Sequence, residues 1–173
     1  GGILATGNFP GRARTPEELR ADFEAAYRLI PGQHRFNLHA MYLEHGGKPV
    51  DRNELEPRHF DGWIDWAKRN GLALDFNPTF FSHEKSSDGL TLAHPDTAIR
   101  SFWIEHGKRC RAVADHMGKE TGKTCINNLW IPDGWKDLPA DRLRYRELLA
   151  KSLDAMYEEN YDVRHTIDAV ESK

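Results

Sequence analysis

The chain has 173 residues, 39% hydrophobic and 29% charged, with five Trp and eight Phe, a composition that can bury a core and excludes a disordered chain. A formal net charge of −3, with both signs interspersed, leaves no basic footprint for nucleic acid and no polybasic patch for a membrane surface. No apolar run approaches the ~20 residues of a membrane span. Gly1-Gly2-Ile3-Leu4-Ala5 carries no basic stretch of the kind that opens a signal peptide. Cys110 and Cys125 form no CxxC pair and no disulfide framework, and they read as reduced, buried thiols of a cytoplasmic protein.

The first element is announced by Thr15-Pro16-Glu17-Glu18. Thr15 caps a helix, Pro16 suits its first position, and Glu18 completes a capping box. Leu19, Phe23, Ala26, Tyr27 and Ile30 then recur at helical spacing until Pro31-Gly32. A strand-like run follows from Arg35 to Tyr42. Phe60, Trp63, Ile64 and Ala67 mark a second helix ended by Asn70-Gly71, and Leu72 to Asn77 reads as a strand stopped by Pro78. A polar loop leads to a third helix near Pro95, with Ile99, Phe102, Trp103, Cys110, Val113 and Met117 on one stripe and Gly122 as its stop. Cys125 to Ile131 is the third strand. A fourth helix runs over roughly Asp141 to Asn160, and His165 to Lys173 is the last strand.

Strands alternating with helical segments predict an α/β fold with a parallel sheet built from crossovers. The order alone leaves both an open doubly wound sheet and a closed barrel in play. No G-x-G-x-x-G opens any helix, which counts against dinucleotide binding. Asn37 and His39, Asp75 and Asn77, Asn128 and Trp130, and Glu171 and Lys173 lie near strand C-terminal ends at i, i+2 spacing, so each pair shares one face. Barrel enzymes build their active sites at that end. A complete barrel needs eight βα units and about 250 residues. The sequence therefore predicts a partial barrel domain over residues 1–173, cut at both ends, with about four consecutive βα units.

Each candidate residue has a plain alternative. Glu171 and Lys173 offer a carboxylate and an amine that can ligate a metal and orient a proton, or they are a solvated charge pair in a frayed tail. His39 is a satisfied strand histidine or a site residue sharing its face with Asn37. Trp130 is core, or the apolar wall of a sugar pocket. Asp133 reads as the turn residue of Pro132-Asp133-Gly134. The Gly7 to Arg12 loop reads as a tight connection, although it could cradle an anion ahead of the capped helix. His83, His94, His106 and His116 lack metal-ligand spacing and read as loop and helix-surface residues; Lys48 to Arg58 reads as a solvated connection.

Five segments, ATGNFPGRAR, RFNLHAMYLE, LALDFNPTFFSH, NNLWIPDGWKD and HTIDAVESK, together resemble the L-rhamnose isomerase family, in its order and over essentially the whole chain. The resemblance implies a (β/α)₈ TIM-type barrel of which this chain supplies the second to fifth strands. It also implies a cytoplasmic homotetramer that interconverts L-rhamnose and L-rhamnulose with a divalent metal, typically Mn²⁺. It puts a structural-metal ligand on Glu171, the active-site lysine on Lys173, a sugar-contacting histidine on His39 and a pocket tryptophan on Trp130. Phe81 falls near the sugar's methyl end. The ligands of the catalytic metal belong to later strands, so the resemblance implies that this polypeptide alone binds metal poorly and isomerises nothing. Two other readings stay open: a related metal-dependent barrel sugar isomerase or epimerase, and a non-catalytic half-barrel that only associates with other chains.

Overall fold

The computed structural model describes residues 10, 11, 13–133 and 141–172. Four helices and four strands alternate: α1 (Pro16–Tyr27), β1 (Arg35–His39), α2 (Asp61–Arg69), β2 (Ala73–Asn77), α3 (Thr97–Thr121), β3 (Cys125–Ile131), α4 (Arg142–Met156) and β4 (Thr166–Ser172). The strands form one sheet in the order β1-β2-β3-β4, every pair parallel. A helix therefore carries the chain back between each strand and the next. This is the architecture of consecutive units of a TIM-type barrel.

The sheet has one buried and one open face. Phe36 and Leu38 of β1, Leu74 and Phe76 of β2, and Leu129 and Ile131 of β3 are buried under the helices. One apolar cluster joins Phe36, Phe76, Trp63 and Trp66 to Val113 and Met117 of α3. A second gathers Phe80, Leu92, Phe102 and Trp103 around Leu129, Ile131 and Met156. The register Asn37↔Asp75, His39↔Asn77 and Trp130↔Glu171 puts the polar residues of neighbouring strands side by side on the opposite face.

Local chemistry explains most boundaries. The Thr15 hydroxyl accepts from Glu18 N at 3.2 Å, as a cap should, but the Glu18 carboxylate reaches Arg14 N at 2.6 Å rather than the Thr15 amide. Asp96 caps α3 by accepting from Ala98 N, and Gly122 stops it at φ 67°, a left-handed position that glycine occupies at no steric cost. Gly107 and Gly118 sit in the middle of α3, where glycine weakens a helix. A Cβ on Gly107 would overlap the Met156 side chain, and one on Gly118 would overlap the His165 carbonyl, so both positions exist for close approach.

Several expectations are corrected. Ile30 lies beyond α1 and is 58% exposed, because the helix ends at Tyr27 ahead of Pro31. Strand β1 ends at His39 and the next three residues form a 3₁₀ turn; the Tyr42 carbonyl is taken by Trp63 Nε1 at 2.8 Å instead of by a ladder. Phe60 ends a 3₁₀ turn, Pro57–Phe60, and precedes α2. His106 is not a surface residue but fully buried, with Nδ1 2.8 Å from the Arg52 carbonyl and Nε2 2.5 Å from that of Pro78. Nor is the segment from Lys48 to Arg58 merely solvated. Leu55 is buried, its carbonyl accepts from Arg109, and Asp51 caps the turn Arg52–Glu54 while holding His83 at 3.0 Å. His83, His94 and His116 do lie in loops or on a helix surface, each against a carboxylate. The Gly7 to Arg12 loop falls mostly outside the described residues.

Candidate active site

The ends of β1, β2 and β3 deliver the site. His39 is the last residue of β1 and Asn77 the last of β2, directly beside it in register. Beyond Asn77 the chain turns through Pro78 and Thr79 and presents Phe81. Trp130 stands at the end of β3, on the same face. Phe81 packs edge-on against both neighbours: its ring centroid is 6.1 Å from that of His39 and 5.4 Å from that of Trp130. Asn77, Phe81, Trp130 and Pro132 line an open cavity of about 400 Å³. Three residues singled out separately in the sequence thus converge on one place. An apolar wall with a few polar groups at its edge suits a sugar, whose C–H faces pack on aromatic rings while its hydroxyls seek hydrogen bonds.

The loop after β2 is built around Thr79. Its φ of 60° is left-handed, a costly conformation for a β-branched residue. The Thr79 N–H donates to Asn77 Oδ1 at 2.9 Å, and its hydroxyl lies 3.1 Å from the Asn77 carbonyl and 3.2 Å from His39 Nδ1. Burial pushes the pKa of His39 down, and the positive charge of Arg52 adds to this.

Asp133 proves more than a turn residue. It is buried at the mouth of β3 and accepts from Thr91 N and Ala93 N, each at 2.7 Å, and from the Thr91 hydroxyl. Three donors on one carboxylate latch the segment around Thr91 to the end of the strand that carries Trp130 and Pro132. Sequence reasoning passed over this role because its partners lie about forty positions away. It also named Asn77 only as one of a polar pair, and it did not weigh Thr79. The signal for both was the Asn77-Pro78-Thr79 turn itself.

The other polar residues divide. Asp75 is spent on structure, pairing with Arg35 and accepting from Ile126 N at 2.9 Å. Asp168 is held by Arg111 Nε at 2.9 Å and by Asn127 Nδ2 at 2.7 Å, while the Arg111 guanidinium stacks against Tyr157 and Tyr161. Glu171 is exposed on the open face beside Trp130. Lys173 lies outside the described residues. No group of three or more His, Cys, Asp or Glu that could hold a metal occurs among the described residues. Glu171 offers one carboxylate where an ion such as Mn²⁺ or Mg²⁺ takes about six ligands, so the described residues do not by themselves complete a metal centre. Both cysteines are buried and burial pushes their thiols up, which makes them inert packing groups. Among the described residues no helix is long and apolar enough to cross a membrane.

A parallel β/α sheet in sequential strand order, with an aromatic-walled cavity at the C-terminal ends of its strands, is the arrangement of consecutive units of a TIM-type barrel. The family model described as L-rhamnose isomerase (RhaA) matches residues 1–173, and the chain belongs to that family. Among its relatives are the L-rhamnose isomerases of Listeria monocytogenes serotype 4a (strain HCC23), 57% identical over 173 residues, and of Rhodopirellula baltica, 56% identical over 172 residues. That of Pectobacterium carotovorum subsp. carotovorum is 56% identical over 173 residues. These alignments cover 99–100% of this chain but 40–41% of each relative, so the chain spans about two-fifths of the relatives' length.

Proposed function

We propose that the full-length protein carrying these residues isomerises the aldose L-rhamnose to the ketose L-rhamnulose, and that this chain supplies the sugar-contacting part of the site. Phe81 and Trp130 line one cavity, and His39, from the neighbouring strand end, packs edge-on against Phe81 at its side; this arrangement carries the reading. Membership of the L-rhamnose isomerase family supports it. The chain corresponds to the second to fifth strands of the barrel. A divalent metal, Mn²⁺ in this reading, takes Glu171 as one ligand, and its other ligands come from beyond the described residues. The assembled enzyme is a cytoplasmic homotetramer.

Aldose–ketose isomerisation opens the sugar ring and then moves hydrogen between C1 and C2 while charge develops on O1 and O2. Trp130 and Phe81 form the apolar wall, with Phe81 near the methyl end, and exclude water from the reacting carbons. His39 handles the hydroxyl proton during ring opening. Lys173 donates a hydrogen bond to the C1 oxygen. Turnover of L-rhamnose by the full-length protein with Mn²⁺, beside L-lyxose and L-mannose, tests the substrate. Lys173→Met in that protein should abolish turnover with circular dichroism and melting unchanged, and retained activity would remove Lys173 from the mechanism. The 173-residue chain alone should show no turnover.

A further inference from the structure

The environment of Thr79 fixes more than its own conformation. Its hydroxyl lies 3.1 Å from the carbonyl of Asn77 and 3.2 Å from His39 Nδ1, and Thr79 itself is wholly buried. A hydroxyl has one proton and can accept as well as donate. The carbonyl can only accept. If Thr79 gives its proton to Asn77, its remaining capacity is as an acceptor, and the contact with His39 is a hydrogen bond only when Nδ1 carries a proton. The Thr79 N–H is committed separately to Asn77 Oδ1. The same asparagine therefore holds Thr79 at both its amide and its hydroxyl, in a left-handed conformation that a β-branched residue adopts only where surrounding bonds impose it.

We propose that Thr79 is a positioning residue that holds His39 in the tautomer protonated at Nδ1, leaving Nε2 as the basic nitrogen of the site. Among the described residues Nδ1 is the only ring nitrogen of His39 with a hydrogen bond. Burial favours the neutral ring, in which one nitrogen donates and the other accepts. This rests on the reading of His39 as a sugar contact and gives that contact a direction. In ring opening the C1–O5 bond breaks as C1=O1 forms. Nε2 takes the proton from the C1 hydroxyl and returns it to O5, and His39 ends as it began. With the opposite tautomer the outer nitrogen would carry a proton already and could not accept this one.

Nitrogen-15 NMR of the histidine side chains in the full-length protein carrying these residues, with His39→Asn identifying the His39 signal, reads the tautomer directly. The unsubstituted protein should show His39 protonated at Nδ1. Thr79→Ser should preserve both that tautomer and turnover to within about threefold. Thr79→Val keeps the shape but removes the acceptor, and should shift His39 toward Nε2 protonation. It should also lower kcat on the order of 10²-fold, with a smaller change in KM. A His39 ring protonated at Nε2 in the unsubstituted protein would overturn the proposal even if Thr79→Val did not fold; so would a Thr79→Val protein that retained Nδ1 protonation. Undiminished turnover by His39→Asn would instead remove His39 from the chemistry and leave the tautomer measurement standing, so the two failures are distinct.

Discussion

His106 shows what burial does to a single ionisable group. Its two ring nitrogens face two backbone carbonyls, and a neutral ring can donate to only one of them. A doubly protonated ring would satisfy both, yet burial pushes its pKa down to about 4, and the nearby charge of Arg52 opposes protonation too. The neutral form is the better assignment, because no carboxylate faces the ring among the described residues, and the second carbonyl is then a close neighbour without a bond. The pH dependence follows. Between the unfolded value, about 6.5, and about 4, the unfolded chain binds a proton that the folded chain refuses. The stabilisation is therefore complete above the unfolded value and is lost as pH falls toward the folded one, by at most ~3 kcal/mol. Urea midpoints measured from pH 7 to 4 should fall more steeply for the unsubstituted protein than for His106→Gln. Equal slopes would show that His106 does not titrate in this way.

Among the elements, the strand–turn boundary after β3 ties fold to site most tightly. Asp133→Ala would strip the acceptor from two buried backbone amides and a hydroxyl. Leaving such groups unpaired costs on the order of 3 kcal/mol in total. Because the latch holds the end of the strand that bears Trp130, substrate binding should weaken together with stability. Calorimetry and KM measured on the same variant check both halves, and a change in one without the other would separate latch from pocket. The alternation of strands and helices was legible because caps, stops and periodicity are local: Thr15, Pro16 and Gly122 stand where helices turn on and off. Of the candidate site, strand-end parity reached only as far as each polar pair sharing a face of its own strand; that His39, Asn77, Trp130 and Glu171 lie on one face of the sheet follows from the register between strands. The roles of Asp133, His106 and the Leu55 segment were not legible. Each is set by partners tens of residues away, and the sequence shows only a polar residue in a polar stretch. Gly107 and Gly118 were silent for the same reason, since what they admit belongs to α4 and to the start of β4.

At the scale of the whole molecule, the division into a buried and an open face makes the chain half of a surface. The open face carries the cavity and Glu171, and the other face carries the hydrophobic core. The long helix α3 settles how the core behaves. It runs for 25 residues and contributes Cys110, Val113 and Met117 to one apolar cluster and Phe102 and Trp103 to the other. Arg111, midway along it, also pins Asp168 of β4, the carbonyl of Met156 at the end of α4 and that of Glu159 beyond it. Displacing this helix would take side chains out of both clusters at once. The amides of β1 and β3 should therefore exchange with deuterium through a common opening event, with equal opening free energies and equal denaturant dependence. A β1 that exchanged independently would show two units where the core predicts one. In this sense α3 acts as the molecule's fuse: one helix is common to both halves of the core beneath the sheet whose other face bears the cavity.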